Sequence, residues 1–197
     1  MAMKSLNDLF IHMLRDIFYA EKQALKGMRQ MQRKASSEEL KAAIEEHREQ
    51  TEGQIETLTQ VFEQLGLRPR GVTCDAVNGI IEEAQELMEE AAEGSTRDAA
   101  IVAAAQAVEH YEITRYGTMV AWAETLGHAE VAKMLAGIRD QESETDAKLS
   151  QLAEAMLNEH AAGGDGDEDT EMDADDEVDA ANDDKSRKSS GRKRKAA

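Results

Sequence analysis

The sequence predicts an all-α fold: a four-helix bundle of two antiparallel hairpins, with a short extra helix in the crossover between them. Three observations support this. The 197 residues are rich in alanine and glutamate, contain a single proline and are only 4% aromatic, a composition that favours helix over sheet. Four long stretches repeat apolar residues at helical spacing. Very short turns, predicted at residues 35–36 and 127–128, join these stretches in pairs, as in a bundle of hairpins.

The first hairpin is predicted at the N-terminal end of the chain. Its first helix, at about residues 5–34, places apolar residues at helical spacing along one face. They are Leu6, Phe10, Met13, Ile17, Ala24, Met28 and Met31. Ser36 followed by Glu39 fits a capping box that would open the second helix. A second apolar stripe runs to Leu65, and Gly66 is predicted to end the helix there.

The second hairpin follows a longer crossover. The connection that holds the only proline leads into residues 75–93, which predict the short extra helix. Ser95 or Thr96 is expected to cap the third long helix, and Gly127 to end it. The fourth long helix then reaches about His160. Because a helix of about 30 residues spans about 45 Å, all four long helices can run the length of one bundle.

The composition of the chain changes near its C-terminal end. Residues 1–162 are predicted to form the helical domain. In residues 163–197, Asp, Gly, Ser and Lys dominate and large apolar side chains nearly vanish. Such a tail cannot bury enough surface to offset the entropy of ordering, so it is predicted to be disordered. It is acidic up to Asp184 and basic from Lys185 to Lys195.

Charge and cysteine content restrict the possible functions. A net charge of −18 repels nucleic acid at long range, which argues against nucleic-acid binding. No apolar run approaches the length of a membrane span, and the N-terminus lacks a signal-peptide pattern. The single cysteine, Cys74, permits no internal disulfide and is expected to be a packed thiol. A cytoplasmic protein is therefore predicted.

Polar residues interrupt the buried stripes at one depth of the predicted bundle. Reflected through the turn at 35–36, Glu21 falls near Gln50, at the end of the stretch 47–50. Reflected through the turn at 127–128, Glu109 falls level with Asp146. Each long helix thus contributes acids or a histidine near the same level. The candidate metal ligands are Glu21, His47, Glu109, Glu112, Glu142 and Asp146.

These residue types suit a pair of metal ions. Glu109 and Glu112 share a helix face because they are three residues apart. Two buried carboxylates side by side repel each other unless they are protonated or bridged by a cation. Oxygen ligands together with an imidazole suit iron or manganese, and two adjacent ions would share bridging carboxylates. The pattern predicts a dinuclear site for Fe or Mn.

Each candidate also has an ordinary structural explanation. Glu21 could lie at an exposed edge and pair with Lys22 or Lys26. A Glu-x-x-Glu pair is common on solvated helices, and a lone His47 is more often a hydrogen-bonded core residue than a ligand. The remaining histidines, which are interpreted as surface or locally hydrogen-bonded residues, are His12, His110, His128 and His160. The residues that could either supply phenols near the site or simply pack in the core are Tyr19, Tyr111 and Tyr116.

Six segments, in this order and spacing, resemble a known family. They are Tyr-Ala-Glu-Lys-Gln at 19–23, His-Arg-Glu-Gln-Thr-Glu-Gly-Gln-Ile-Glu at 47–56, Val-Thr-Cys-Asp-Ala-Val-Asn-Gly at 72–79, Gln-Ala-Val-Glu-His-Tyr-Glu-Ile at 106–113, Tyr-Gly-Thr at 116–118 and Glu-Ser-Glu-Thr-Asp at 142–146. Over about residues 4–157 the chain resembles the YciF-type ferritin-like stress proteins, a branch of the ferritin and rubrerythrin superfamily.

This resemblance implies a ferritin-like bundle, a dinuclear iron-type site, a cytoplasmic location, a homodimer and a role in stress. Carried over by position, it implies the following ligands: Glu21, Glu109, Glu112, Glu142 and Asp146, joined by His47. Gln50 departs from the family pattern, which often has glutamate at this position. A bridging carboxylate would then be missing, which would weaken one metal position or leave a single-ion site.

Three functions stay open on the sequence alone. The first is an oxidoreductase-like metal protein in which two Fe(II) ions react with oxygen or peroxide, and for which no catalytic residue is assigned. The second is a DNA-associated protective protein, in which the seven basic residues between 185 and 195 bind phosphates. The third is a metal-independent helical scaffold or dimer whose polar core residues fix the register. Metal binding is the working hypothesis.

Overall fold

The computed structural model describes residues 3–163, in which all regular structure is helical. The elements are α1 (Leu6–Lys34), α2 (Glu38–Gln64), α3 (Asp75–Glu90), α4 (Ser95–Thr125), α5 (Ala129–Leu152), a π-helical turn (Ala153–Leu157) and α6 (Asn158–Gly163). No helix in this range is both long and apolar enough to cross a lipid bilayer. The predicted all-α fold class is confirmed. Residues from 164 onward lie outside the described range. The predictions of a disordered tail and of a basic stretch at its end fall on those residues.

Four long helices form the bundle, as two hairpins that pack side by side. α1 pairs with α2 and α4 pairs with α5, while contacts of α1 with α4 and of α2 with α5 close the bundle. The crossover helix α3 packs against α1 and α4. Gly66 and Gly127 end their helices with positive φ angles of 69° and 80°, a conformation that glycine adopts without steric cost.

The turn between α1 and α2 differs from the prediction in one residue. Ser37, not Ser36, caps α2, and its hydroxyl accepts the backbone N–H of Leu40 at 3.2 Å. The backbone N–H groups of both serines donate to the buried carboxylate of Asp98 on α4, each at 2.7 Å. Because Asp98 is 61 residues away in the sequence, local capping rules could not place this contact.

Three further helix ends differ from the prediction. α3 ends at Glu90, three residues early, and Ser95 is the first residue of α4 rather than its cap. Gly94 occupies the cap position with a φ of 96°, so backbone geometry turns the chain there and no side chain caps the helix. The α-helical part of the last long helix stops at Leu152, although the helical path continues through the π-helical turn.

The core consists of two apolar clusters with a polar layer between them. One cluster includes Phe10 and Phe18 of α1 and Phe62 of α2. The other includes Met28 of α1 and Leu40 of α2. On every long helix, the residues between the two clusters are polar and buried. This polar layer contains Glu21, His47, Thr51, Gln54, Glu109, Glu112, Glu142 and Thr145.

Candidate metal centre

Five of the six predicted ligands meet inside the polar layer. Glu21 and Glu142 are 0% exposed, and Glu109 and Glu112 are 1% exposed. His47 is 6% exposed. The alternative in which Glu21 lies at a solvated edge, paired with a neighbouring lysine, is therefore wrong.

The five side chains form two groups that share one residue. The histidine group is His47, Glu109 and Glu142, and the carboxylate group is Glu21, Glu112 and Glu142. In each group, one ligand atom from every residue lies within 4.8 Å of the others. Glu142 belongs to both groups, so a carboxylate with two oxygens stands between two candidate cation positions.

Helix geometry explains why these residues converge. Glu109 and Glu112 are three residues apart on α4 and therefore lie on the same face of the helix. Glu21 sits between the buried residues Ile17 and Ala24 on α1, a spacing that keeps one face turned inward. The apolar clusters above and below the layer pack the helices, and this packing brings the polar side chains together.

Hydrogen bonds satisfy only part of this layer. His47 Nε2 lies 2.8 Å from Glu109 Oε1. The hydroxyl of Tyr116, on α4, donates to Glu21 Oε1. The buried atoms left without a hydrogen-bond partner include Glu21 Oε2, His47 Nδ1, Glu109 Oε2, Glu112 Oε1 and both carboxyl oxygens of Glu142. Each buried polar atom without a partner destabilises the fold by about 1–3 kcal/mol, so this concentration of such atoms calls for a further binding partner.

Burial also changes the acidity of the four glutamates. Removal from water raises the pKa of Glu21 to about 8, with a further increase from the charge of Glu142. Burial likewise raises the pKa of Glu109 to about 8. It raises the pKa values of Glu112 and Glu142 well above 4.5, and nearby carboxylates raise them further. Without cations, this layer is therefore held largely in protonated form near neutral pH.

The sixth predicted ligand, Asp146, lies outside both groups. Its Oδ1 accepts a hydrogen bond from Gln106 Nε2 at 3.0 Å. Its Oδ2 lies 3.3 Å from Nε2 of His110, a histidine for which the sequence indicated no shared face with the site. Gln50 is also outside the groups, and its Oε1 accepts from the Thr145 hydroxyl at 3.2 Å. Ligation by Asp146 stays a prediction.

Two residues of the layer were missed or left open by the sequence. Gln54 is 1% exposed, and its Oε1 has no hydrogen-bond partner. It follows His47 and Thr51 at helical spacing on α2, which is the signal that could have found it. Tyr116 is the phenol that contacts the site.

The other two tyrosines and the cysteine contact different partners. The Tyr19 hydroxyl donates to Asn78 at 3.1 Å, and the Tyr111 hydroxyl donates to Asp16 at 2.7 Å. Cys74 is buried, 2.9 Å from the Tyr111 hydroxyl, and its sulfur accepts the backbone N–H of Val77 at the start of α3. The prediction that Cys74 is a packed thiol is confirmed.

The donor set suits two hard or borderline divalent cations. Four carboxylates and a neutral imidazole sum to a charge of −4, which two divalent ions would balance. The unpartnered oxygens of Glu21, Glu112 and Glu142 are the ligand atoms that iron and manganese accept in helical bundles. The residues present therefore fit a dinuclear site.

The fold is the four-helix bundle predicted as ferritin-like from the sequence, and a layer of carboxylates and a histidine is buried inside it. A family model described as a domain of unknown function, DUF892, matches residues 5–162. Protein YciF of Escherichia coli strain K12 is 44% identical over 162 residues, which cover 82% of this chain and 98% of that protein. The chain belongs to the YciF (DUF892) family, in agreement with the resemblance of its motifs.

Solved structures agree with this assignment. The crystal structure of the E. coli stress protein YciF matches with a TM-score of 0.76 at 43% identity, covering 80% of this chain and all of that chain. YcfI from Rhodopseudomonas palustris matches with a TM-score of 0.74 at 47% identity, covering 75% of this chain and 94% of that chain.

Proposed function

We propose that this protein is a cytoplasmic, stress-related metal protein that holds two iron-type ions, Fe or Mn, and oxidises Fe(II) with oxygen or peroxide. The observation that carries the proposal is the pair of three-residue groups joined by Glu142. Buried carboxylates serve scaffolds poorly, because each one must be protonated or paired to be tolerated. Two cations would remove this cost for the carboxylates of the two groups.

Each side chain has a definite role in this proposal. Glu142 would bridge the two ions, since it is the residue common to both groups. His47 and Glu109 would complete one position, and Glu21 and Glu112 the other. When bound, two Fe(II) ions would supply electrons to an oxidant. The hydroxyl of Tyr116 holds one oxygen of Glu21 and so orients that carboxylate for the ion.

The surrounding residues control water and protons. Apolar clusters lie on both sides of the polar layer, which excludes bulk water from the reacting atoms. Because burial raises the pKa of Glu21 and Glu109 to about 8, cation binding at neutral pH would displace protons from the layer.

The biological setting rests on relatives. E. coli YciF is described as a stress protein, and at 43% identity over its full chain it supports a stress role here. A homodimer and a cytoplasmic location follow from the same family resemblance, and both are part of the proposal.

Metal content and metal-dependent stability test the proposal. Purified chain loaded anaerobically with Fe(II) or Mn(II) is expected to hold about two ions after removal of free metal, as dinuclear bundle sites do. Loading should also raise the melting temperature. Oxidation of added Fe(II) by oxygen or peroxide is then measured on the loaded protein.

A pair of variants separates the site from the scaffold. The double variant E112Q/E142Q should lose the ions and the metal-dependent rise in melting temperature. Glu144 is exposed on the same helix, two residues from Glu142, so E144Q is the matched control and should behave like the wild type. Wild-type protein that binds no ions, with a melting temperature that metal does not change, would favour the metal-independent scaffold.

A further inference from the structure

A narrow cleft reaches the histidine group from the surface between α1 and α3. It is lined by residues of α1, α3 and α4, among them Glu109, and by His47 of α2. The lining residues that keep some exposure are Gly27 and Ile81, whereas the others are buried. The cleft therefore has its mouth at Gly27 and Ile81 and its inner end at His47 and Glu109.

The walls of the cleft are apolar. Between the mouth and the inner end they consist of Ala24, Met28, Met31, Ala105 and Val108. A hydrated cation would lose its water shell there without gaining ligands, and a polar molecule would lose hydrogen bonds. Apolar cavities of this kind stay dry and accept apolar atoms or molecules. The walls therefore favour the entry of an uncharged, apolar molecule.

The size of the cleft narrows the choice further. Its interior volume is about 20 Å³. About 10–15 Å³ on the same measure accommodates one water-sized sphere, so the cleft has room for a single small molecule. A diatomic gas fits this space and these walls. Hydrogen peroxide suits these apolar walls less well, because its two hydroxyl groups would find no hydrogen-bond partners along them.

Gly27 lines the cleft at its exposed end. Gly27 lies in the middle of α1, where glycine disfavours helix relative to alanine. A Cβ atom at this position would meet no heavy atom within 4 Å, so close packing does not require glycine there. Because Gly27 lines the cleft and is one of its two partly exposed residues, a long side chain there would stand at the mouth.

A second cleft reaches His47 from the other side and has a different character. It lies between α2 and α5 and includes Gln50 and Thr145, with Glu46 and Lys148 paired across it at 2.6 Å. Polar side chains border this second cleft together with the apolar Ala43 and Leu149, whereas the walls of the first cleft outside His47 and Glu109 are apolar throughout.

We propose that the apolar cleft admits dioxygen to the histidine group and that Gly27 keeps its mouth open. The inference rests on the proposed function, because a route for dioxygen matters only if metal binds at the inner end. It also sharpens that function, since it assigns dioxygen rather than peroxide to this route.

Xenon is the probe for the cleft, because it is apolar and similar in size to small gases. Crystals of the full chain without metal are pressurised with xenon. The wild type should show one xenon atom between Gly27 and His47, and G27L should show none. Gly53 also lies within a helix with no heavy atom near its Cβ position, but it is exposed and does not line the cleft, so G53L is the matched control.

Rapid mixing of Fe(II)-loaded protein with oxygen supplies the second readout. G27L should lower the rate constant for reaction with dioxygen about tenfold, with about the same metal content and a rate with peroxide within about twofold of wild type. In G27A the added Cβ meets no heavy atom within 4 Å, so this variant should keep the wild-type rate with dioxygen and shows whether replacing the glycine by itself disturbs the fold.

The outcomes distinguish this inference from the proposed function. Normal metal binding without xenon in the cleft, or with equal oxygen rates in the wild type and G27L, would overturn the dioxygen route alone. Failure to bind metal would overturn the route and the proposed function together.

Discussion

The histidine group and the carboxylate group share Glu142 but differ in charge and surroundings. The histidine group combines two carboxylates with an imidazole and is reached by two clefts that both touch His47. The carboxylate group has three carboxylates and the buried hydroxyl of Tyr116. The position at the histidine group is therefore more accessible and has a softer ligand. The position at the carboxylate group is more anionic and more enclosed. Two ions in this site should differ in affinity and in accessibility.

Glu142, which the histidine group and the carboxylate group share, should have the largest effect on metal binding. In E142Q both groups lose a carboxylate, so the bound metal is expected to fall from about two ions per chain to near zero. Elemental analysis after anaerobic loading measures this, with E144Q as the control. Retention of one tightly bound ion in E142Q would mean that Glu142 is not the bridge.

Single substitutions on either side should separate the two positions. E112Q removes a ligand only from the carboxylate group, and H47Q only from the histidine group. Each variant is expected to keep about one ion per chain. H47Q should also prefer iron over manganese less strongly, because it has lost an imidazole ligand. Competition between the two metals, followed by elemental analysis, measures the ion content and the metal preference. Equal loss of both ions in both variants would show that the positions are not independent.

The stability of the metal-free protein should fall with rising pH, and metal binding should offset this fall. Folded-state pKa values of about 8 for Glu21 and Glu109 lie above the ordinary value of 4.5, so the folded metal-free protein binds more protons than the unfolded chain between these values. Its free energy of unfolding should therefore fall as the pH rises from about 4.5 to 8. The effect should be smaller in E112Q, which carries one carboxylate fewer in the layer.

Metal should compensate for this loss at the upper end of the range. At a free metal concentration of about 100 times Kd, binding adds about 2.7 kcal/mol, which corresponds to a rise of roughly 5–10 °C in melting temperature. Thermal unfolding at pH 5, 6, 7 and 8, with and without Mn(II), measures both effects. A metal-free protein whose stability rises over this range would contradict the protonated state of the layer.

The smallest expected effect is that of the hydroxyl beside the carboxylate group. Y116F removes the hydrogen bond to Glu21 and leaves the ring in place. Because such supporting contacts orient a ligand without binding the ion, the affinity of one ion should fall by about tenfold while both ions still bind at saturation. Calorimetric titration measures the two affinities. An unchanged affinity in Y116F would show that Glu21 does not need this partner.

The two acids of α5 also show how far helical spacing predicts a site. Glu142 and Asp146 are four residues apart, so they lie near one another on the helix surface and both fit the inner face from the sequence. In the folded chain, Glu142 is fully buried between the two groups, whereas Asp146 contacts Gln106 and His110. One turn of helix separates them by about 6 Å, and only the positions of α2 and α4 decide which acid meets the others.

The sequence by itself determined the helices and the inward direction of the polar residues, because both follow from periodicity along one chain segment. Apolar spacing predicted the four long helices, and glycines predicted the ends of α2 and α4 at Gly66 and Gly127. The tertiary structure alone decided that Asp98 holds the turn before α2, that Glu142 is shared, and that an apolar cleft ends at His47. These features depend on distances between helices, which are set by the packing of the two apolar clusters and are not encoded in the spacing of residues along any one helix.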